Sequence, residues 1–246
     1  MARVALDQLC FRYPGSSADT LTDLTLTIED GAAHALLGGS GTGKTTLLNL
    51  FSGLLVPTSG AVLFDDQNVS ALPGRERQVA QVFQFPVLYE GLSLLDNLAF
   101  PLRTRGWKAA AARERAMQLA KRLDIAGLAS KLASNLSLFE KQLLAIGKAL
   151  VRPDLALVLL DEPLTAVEPR VKWQLRSLLR EVQREEGTTM LYVTHDQTEA
   201  LTFADQVSLM HEGQLLQTGT PTTLHDAPEH EYVGHFIGSP GMNLVP

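Results

Sequence analysis

The sequence predicts an α/β protein: a mixed sheet with flanking helices, an all-helical subdomain, and an N-terminal antiparallel β region. Three observations carry this. A glycine-rich stretch, Gly38 to Thr46, sits between a short apolar strand and an apolar helix. An unbroken apolar run, Leu155 to Leu160, delivers two acids, Asp161 and Glu162, as a central strand covered on both faces would. Between them, residues 87–150 change from strand patterns to helical spacing, which suggests an inserted subdomain.

Taken in order, Val4 to Cys10 reads as a strand, and Phe11-Arg12-Tyr13-Pro14-Gly15 breaks it into a turn. Leu24, Leu26 and Ile28 alternate with threonines, a half-buried strand closed by Glu29-Asp30-Gly31. Ala32 to Leu37 is a buried strand and Thr46 to Ser52 a helix. Pro57 to Gly60 turns into the strand Ala61 to Phe64, and a further strand, Gln78 to Phe83, ends at Gln84. In the helical part, Leu92, Leu95, Leu98, Ala99 and Leu102 share one face, and Lys108 to Leu123 is Ala-rich with charges outside. Then come helix Glu168 to Glu186, strand Thr189 to Thr194, helix Gln197 to Ala204, and strand Val207 to His211. Glu212-Gly213 makes a hairpin into Gln214 to Thr218, and a Pro- and Gly-containing tail starts at Pro221.

A chain of 246 residues can bury a full core. Its net charge of −6 excludes a nucleic-acid footprint over the whole surface. The single cysteine, Cys10, excludes an internal disulfide and reads as a small core residue. The run Leu155 to Leu160 is too short to cross a bilayer, and the first residues lack signal-peptide character. A soluble, cytoplasmic protein is expected, with any membrane association supplied by a partner.

The loop Gly38-Gly39-Ser40-Gly41-Thr42-Gly43-Lys44-Thr45-Thr46 fits G-x-x-x-x-G-K-[ST], the signature of a P-loop NTPase core. Glycines let backbone N–H groups turn inward, and a helix N-terminus adds partial positive charge, so the loop becomes an anion site. Lys44 is expected on the β- and γ-phosphates and Thr45 on Mg²⁺. Asp161 is the expected second Mg²⁺ holder and Glu162 the general base for an attacking water. His225, His230 and His235 have five-residue spacing that fits no metal signature and read as a solvated tail.

On these motifs, and over essentially its whole length, the sequence resembles the nucleotide-binding subunits of ABC transporters, nearest the sugar and small-solute importers. The resemblance assigns Tyr13 to adenine stacking, Gln84 to sensing of the γ-phosphate and Mg²⁺, and His195, in Val193 to Leu201, to γ-phosphate contact. It implies ATP and Mg²⁺, with catalytic residues Glu162, His195 and Gln84 and metal residues Thr45, Gln84 and Asp161. Leu94 to Leu102 and the closing Phe236 to Asn243 also match the importer group, the latter leading into an extra C-terminal β domain. The implied division is a nucleotide-binding core at 1–86 and 151–220, a helical subdomain at 87–150, and a tail at 221–246.

The pattern departs in two places. The family's Leu-Ser-Gly-Gly-Gln is here Leu136-Ser137-Leu138-Phe139-Glu140, a degenerate signature on the face that covers a partner subunit's ATP. Leu138 and Phe139 add bulk where bare glycine backbone would approach phosphate. Glu140 either repels the partner's phosphates or folds back onto Ser137 as a capping box. The family's Asp in the dimer-interface loop is here Glu168. The expectation is therefore an ATP-hydrolysing subunit of a sugar, polyol or similar importer, paired with a non-identical ATPase paralogue. Permease subunits would hold it at the cytoplasmic membrane face, a solute-binding protein would act indirectly, and no nucleic acid would bind. Two alternatives stand beside it: a regulatory nucleotide-binding subunit with little turnover, and a soluble ABC ATPase outside transport.

Overall fold

The computed structural model describes residues 2–165 and 167–238. In chain order the strands are β1 (Val4–Phe11), β2 (Leu21–Ile28), β3 (Ala33–Leu37), β4 (Ser59–Phe64), β5 (Gln67–Asn68), β6 (Val79–Val82), β7 (Leu157–Asp161), β8 (Met190–Thr194), β9 (Gln206–His211) and β10 (Gln214–Gly219). The helices are α1 (Lys44–Ser52), α2 (Leu94–Arg103), α3 (Ala109–Arg122), α4 (Leu138–Leu150), α5 (Pro169–Glu186), α6 (Gln197–Phe203), α7 (Pro221–Asp226) and α8 (Glu231–Ile237).

β2, β1, β4 and β5 form an antiparallel sheet in that order. The expected alternation is present in β2, where Leu24, Leu26 and Ile28 are buried while Thr25 and Thr27 are exposed. The second sheet runs β10-β9-β3-β8-β7-β6, parallel from β9 to β6 with β10 antiparallel at the edge. β7 is covered on both faces. Leu157 and Leu159 join a core with α1 and the antiparallel sheet, and Val158 and Leu160 join one with α2, α3 and α4. The helical insert thus shares one core with the strand that ends in Asp161.

Register decides where the chemistry sits. Leu37 pairs with Thr194, Asp161 with Val193, and Val82 with Leu160. Four neighbouring parallel strands, β3, β8, β7 and β6, therefore end in one row. Residues just past those ends meet at the carboxyl edge, where open α/β sheets bind ligands.

Two expectations need correction. The tail from Pro221 is not open chain: α7 and α8 bury Leu224, Val233 and Ile237 against Ala35, Leu37, Val207 and Leu209. His225, His230 and His235 are exposed, and His230 caps α8 by accepting the Tyr232 N–H at Nδ1. Cys10 is half-buried rather than core, with its Sγ accepting the Asp23 N–H at 3.2 Å. Ala166 and residues 239–246, including Ser239 to Asn243 of the β-domain match, lie outside the described residues.

Candidate functional site

The loop from Gly38 to Gly43 joins β3 to α1 through backbone that only glycine fits. Gly43 has φ +102°, and a Cβ there would lie 2.6 Å from the Leu21 side chain. A Cβ on Gly38 would meet the Met210 carbonyl oxygen at 2.4 Å. Gly43 also occupies the N-cap of α1, which has no side-chain cap and no acid in its first turn. The first N–H groups of α1 are thus left for an external acceptor. Thr42 Oγ1 donates to the Gly39 carbonyl at 3.0 Å and braces the loop from inside.

Lys44 Nζ donates to the Gly38 and Gly39 carbonyls at 2.8 and 2.7 Å, so its ammonium lies across the loop it belongs to. Burial pulls the Lys44 amine below its usual value, with the Glu162 and Asp161 charges opposing that fall. Asp161, the last residue of β7, is pushed up by burial and by Glu162, and pulled down by Lys44. Lys44, Thr45 and Thr46 face Asp161 and Glu162 across a cavity of about 310 Å³, which Ser40, Gly41 and Gly43 also line. An ammonium, uncapped helix N–H groups and a hydroxyl on one wall suit phosphate oxygens. The Thr45 hydroxyl and Asp161 carboxylate are hard oxygen donors of the kind Mg²⁺ takes.

Glu162 follows β7 with φ 45°, a left-handed conformation strained for a non-glycine residue. Its N–H donates to the Val193 carbonyl at 2.9 Å, which locks the turn to β8. Its carboxylate is held at both oxygens: Oε1 lies 3.0 Å from His195 Nδ1, and Oε2 accepts from the Thr165 hydroxyl at 3.1 Å. The Glu162 side chain is mostly shielded, while that of His195 is half open to solvent.

Behind His195, Glu199 is buried and fully engaged. It accepts from Tyr192 and Thr194 hydroxyls at 3.0 Å and from Lys172 Nζ at 2.9 Å. Asp196 caps α6 by accepting the Glu199 N–H. This network fixes the segment that presents His195.

Tyr13 projects from the turn after β1 with its hydroxyl 3.0 Å from Thr46 Oγ1 and its ring edge-on to Phe11. That bond ties the antiparallel sheet to the phosphate loop, a link that sequence pattern alone does not reveal. Gln84 lies two residues past β6; it is not among the residues that line the phosphate-loop cavity, and no hydrogen bond joins it to Asp161 or Lys44 among the described residues. Thr165 is a candidate-site residue that no motif marks; its one sequence cue is a hydroxyl three residues after Glu162.

The 136–140 segment lies apart, at the start of α4. Ser137 Oγ accepts the Glu140 N–H at 3.2 Å, and Glu140 Oε2 accepts the Ser137 N–H at 2.6 Å, a complete capping box. Lys131 Nζ adds a contact to the same carboxylate oxygen at 3.3 Å. These bonds, led by the Ser137 N–H, hold the Glu140 carboxyl below its usual range. Phe139 is half-buried against the helical core, while Leu138 is 47% exposed. Glu168 is exposed and is the N-cap of α5 with no side-chain cap bond.

Residues 21–165 match the family described as ABC transporter. The Fe(3+) ions import ATP-binding protein FbpC of Agrobacterium fabrum is 42% identical over 226 residues, covering 92% of this chain and 63% of that protein. The trehalose import ATP-binding protein SugC of Mycobacterium tuberculosis is 39% identical over 246 residues, covering all of this chain and 62% of its own length. The diacetylchitobiose uptake system ATP-binding protein MsiK of Streptomyces coelicolor is 38% identical, covering 65% of its length. This chain therefore spans less than two thirds of each of these relatives. Among solved structures, cbiO1 from Clostridium perfringens, part of the ABC transporter complex cbiONQ, superposes with a TM-score of 0.84 at 29% identity, covering 92% of this chain and 91% of that one. With the phosphate loop, the β7 acids and the β8 histidine on one sheet edge and these matches along its length, the chain belongs to the ABC transporter family.

Proposed function

We propose that this chain binds and hydrolyses ATP to power an importer for a sugar, a polyol or a similar small solute. The observation that carries the proposal is the convergence of Lys44, Thr45, Asp161 and Glu162 on one cavity at the carboxyl edge of the sheet. The import names of the relatives support the transport reading, and the trehalose and diacetylchitobiose systems support a sugar-like solute.

In this reading Ser40 to Thr46 hold the phosphates, Lys44 the β- and γ-phosphates, and Tyr13 the adenine. Gln84 and His195 contact the γ-phosphate end. Thr45, Asp161 and Gln84 would hold Mg²⁺, which when bound neutralises charge on the phosphate oxygens. Glu162 accepts a proton from the attacking water, and His195 and Thr165 keep its carboxylate aimed. The core at 1–86 and 151–220, the helical subdomain at 87–150 and the tail at 221–246 are the working parts. Binding to permease subunits at the cytoplasmic membrane face would place it without a membrane span of its own; among the described residues no helix is long and apolar enough to cross a membrane.

The second ATPase subunit is a non-identical paralogue in this proposal. Leu138 stands exposed where a partner's γ-phosphate would approach, and Glu140 is already committed to its own helix start. The α4 surface is thus a poor lid for a partner's ATP, while Glu168 sits one methylene longer than the usual interface acid. Steady-state ATPase rates of the chain alone and mixed with a related ATPase subunit test this. Strong stimulation by the partner is expected; a fully active homodimer sinks the asymmetric arrangement, and no hydrolysis in either state sinks the ATPase reading itself.

A further inference from the structure

Helices α5 and α6 enclose a second cavity of about 720 Å³, sharing no lining residue with the phosphate-loop cavity. Trp173, Arg176, Arg180 and Arg184 line it from α5, and Thr198 and Thr202 from α6. The α5 residues recur at three- and four-residue spacing, so they share one helix face. Trp173 is 66% exposed at one end.

Arg176 is the anomaly. Its side chain is all but 8% buried, it lines this cavity, and no hydrogen bond or ion pair engages its guanidinium among the described residues. Its guanidinium is not sealed from solvent, so a charge without a partner opens onto the cavity rather than into the core. The nearby acid cannot serve: the Glu199 carboxylate already accepts from Lys172, Tyr192 and Thr194. Arg180, one turn on, is held by Asp205 and Gln183. Arg184, a further turn out, is exposed and has no ion pair among the described residues. Two acids also touch the cavity; Glu185 is held by Arg122, and Glu181 lies at the edge of the arginine face by helical spacing.

We propose that this groove is a binding site for a small phosphate monoester with a planar or apolar body, separate from the ATP site. Arg176 takes the phosphate at the inner end by paired N–H donors, a geometry guanidinium matches better than ammonium does. Arg184 adds long-range attraction at the mouth. A phosphate monoester carries about −1.5 to −2 at neutral pH, which suits two uncommitted guanidinium groups better than a single carboxylate does. The volume lies within the range of about 300–1,000 Å³ usual for small-molecule pockets, and Trp173 offers a flat face to the rest of the ligand. Because α6 directly follows His195, ligand in this groove would brace the segment that aims Glu162.

Phenyl phosphate is the probe, titrated by Trp fluorescence and calorimetry into the intact chain, with Lys44→Ala, Arg176→Gln, Arg184→Gln and Trp173→Phe variants. Saturable binding is expected, weakened about tenfold or more by Arg176→Gln, less by Arg184→Gln, and unchanged by Lys44→Ala. Without ligand, Arg176→Gln should melt close to the parent, since no bond to the rest of the chain is lost; a purely structural arginine would lower the midpoint. Loss of binding in Lys44→Ala alone, or undiminished binding in both arginine variants, overturns the proposal. Inorganic phosphate binding as tightly as phenyl phosphate overturns the planar-body assignment. Binding to phosphatidic acid vesicles but not to phenyl phosphate overturns a free small ligand in favour of a lipid headgroup.

Discussion

Glu162 and His195 meet across the ends of two adjacent parallel strands, with Oε1 and Nδ1 3.0 Å apart. The strained φ of 45° at Glu162 and its backbone bond to Val193 point the carboxylate at that meeting. A carboxylate held at both oxygens loses little orientational freedom when a water must be placed against it.

Glu162→Gln keeps the shape and removes the proposed base. Steady-state ATPase activity should fall by about 10²–10⁴-fold. Nucleotide affinity, read by fluorescent-ATP titration, should stay within a few-fold of the parent. His195→Ala should lower kcat as well, and the double variant should lose little more than Glu162→Gln alone, because residues acting as a unit are not additive. Additive losses would show that the two act separately.

Lys44 spans the Gly38 and Gly39 carbonyls with its ammonium and faces Asp161 and Glu162. Among the described residues, Lys44→Ala removes the one cation in that cavity lining. Nucleotide binding should weaken by about 10–100-fold, the scale of a charged hydrogen bond. Equilibrium dialysis with labelled ATP measures it, and unchanged affinity would mean that ATP sits elsewhere.

The capping box separates two properties of residues 137–140. Glu140→Ala should destabilise the chain by about 0.5–2 kcal/mol, the usual scale of a lost helix cap, measured by urea denaturation. The triple change Leu138→Gly, Phe139→Gly and Glu140→Gln costs stability too, since each glycine in a helix loses about 1 kcal/mol. Yet it should raise the ATPase rate of the chain acting without the proposed partner. A rate that does not rise counts against the bulky segment as the cause of the proposed asymmetry.

What could be read before the structure follows from how local each signal is. Gly43-Lys44-Thr45 and Leu157 to Glu162 announce themselves because their constraints lie within a few adjacent residues. The alternation in β2 and the doubly buried β7 are likewise properties of single segments. The Tyr13–Thr46 and Glu162–Thr165 bonds depend on side-chain direction, which no periodicity encodes. α7 and α8 escaped because six or seven residues hold too few apolar positions to show a helical period. β5, two exposed polar residues, has no hydrophobic signal at all. Arg176 lies on a long amphipathic helix and reads as surface; only the packing of α6 against α5 reveals its burial.

His34 is buried on β3, and its Nε2 lies 2.8 Å from Ser208 Oγ, itself 2.7 Å from Thr218 Oγ1. Burial lowers the imidazole from 6.5 to about 4, against a weaker upward pull from Asp205. Folding thus keeps this group neutral between about pH 4 and 6.5, where the unfolded chain binds the extra proton. Stability from this group is complete above about pH 6.5, erodes as the pH falls, and is exhausted near pH 4, a change of about 3 kcal/mol. Asp96, Glu140 and Asp154, all held below their usual range, erode stability only at the acid end of that window and beyond. The decline from about pH 6.5 to 5 is therefore the part to assign to histidine. Urea denaturation midpoints across pH 4.5–7.5 measure it. His34→Gln, whatever its overall cost in stability, should flatten that decline, because the variant has no proton to gain on unfolding; an unchanged slope would move the effect to another histidine.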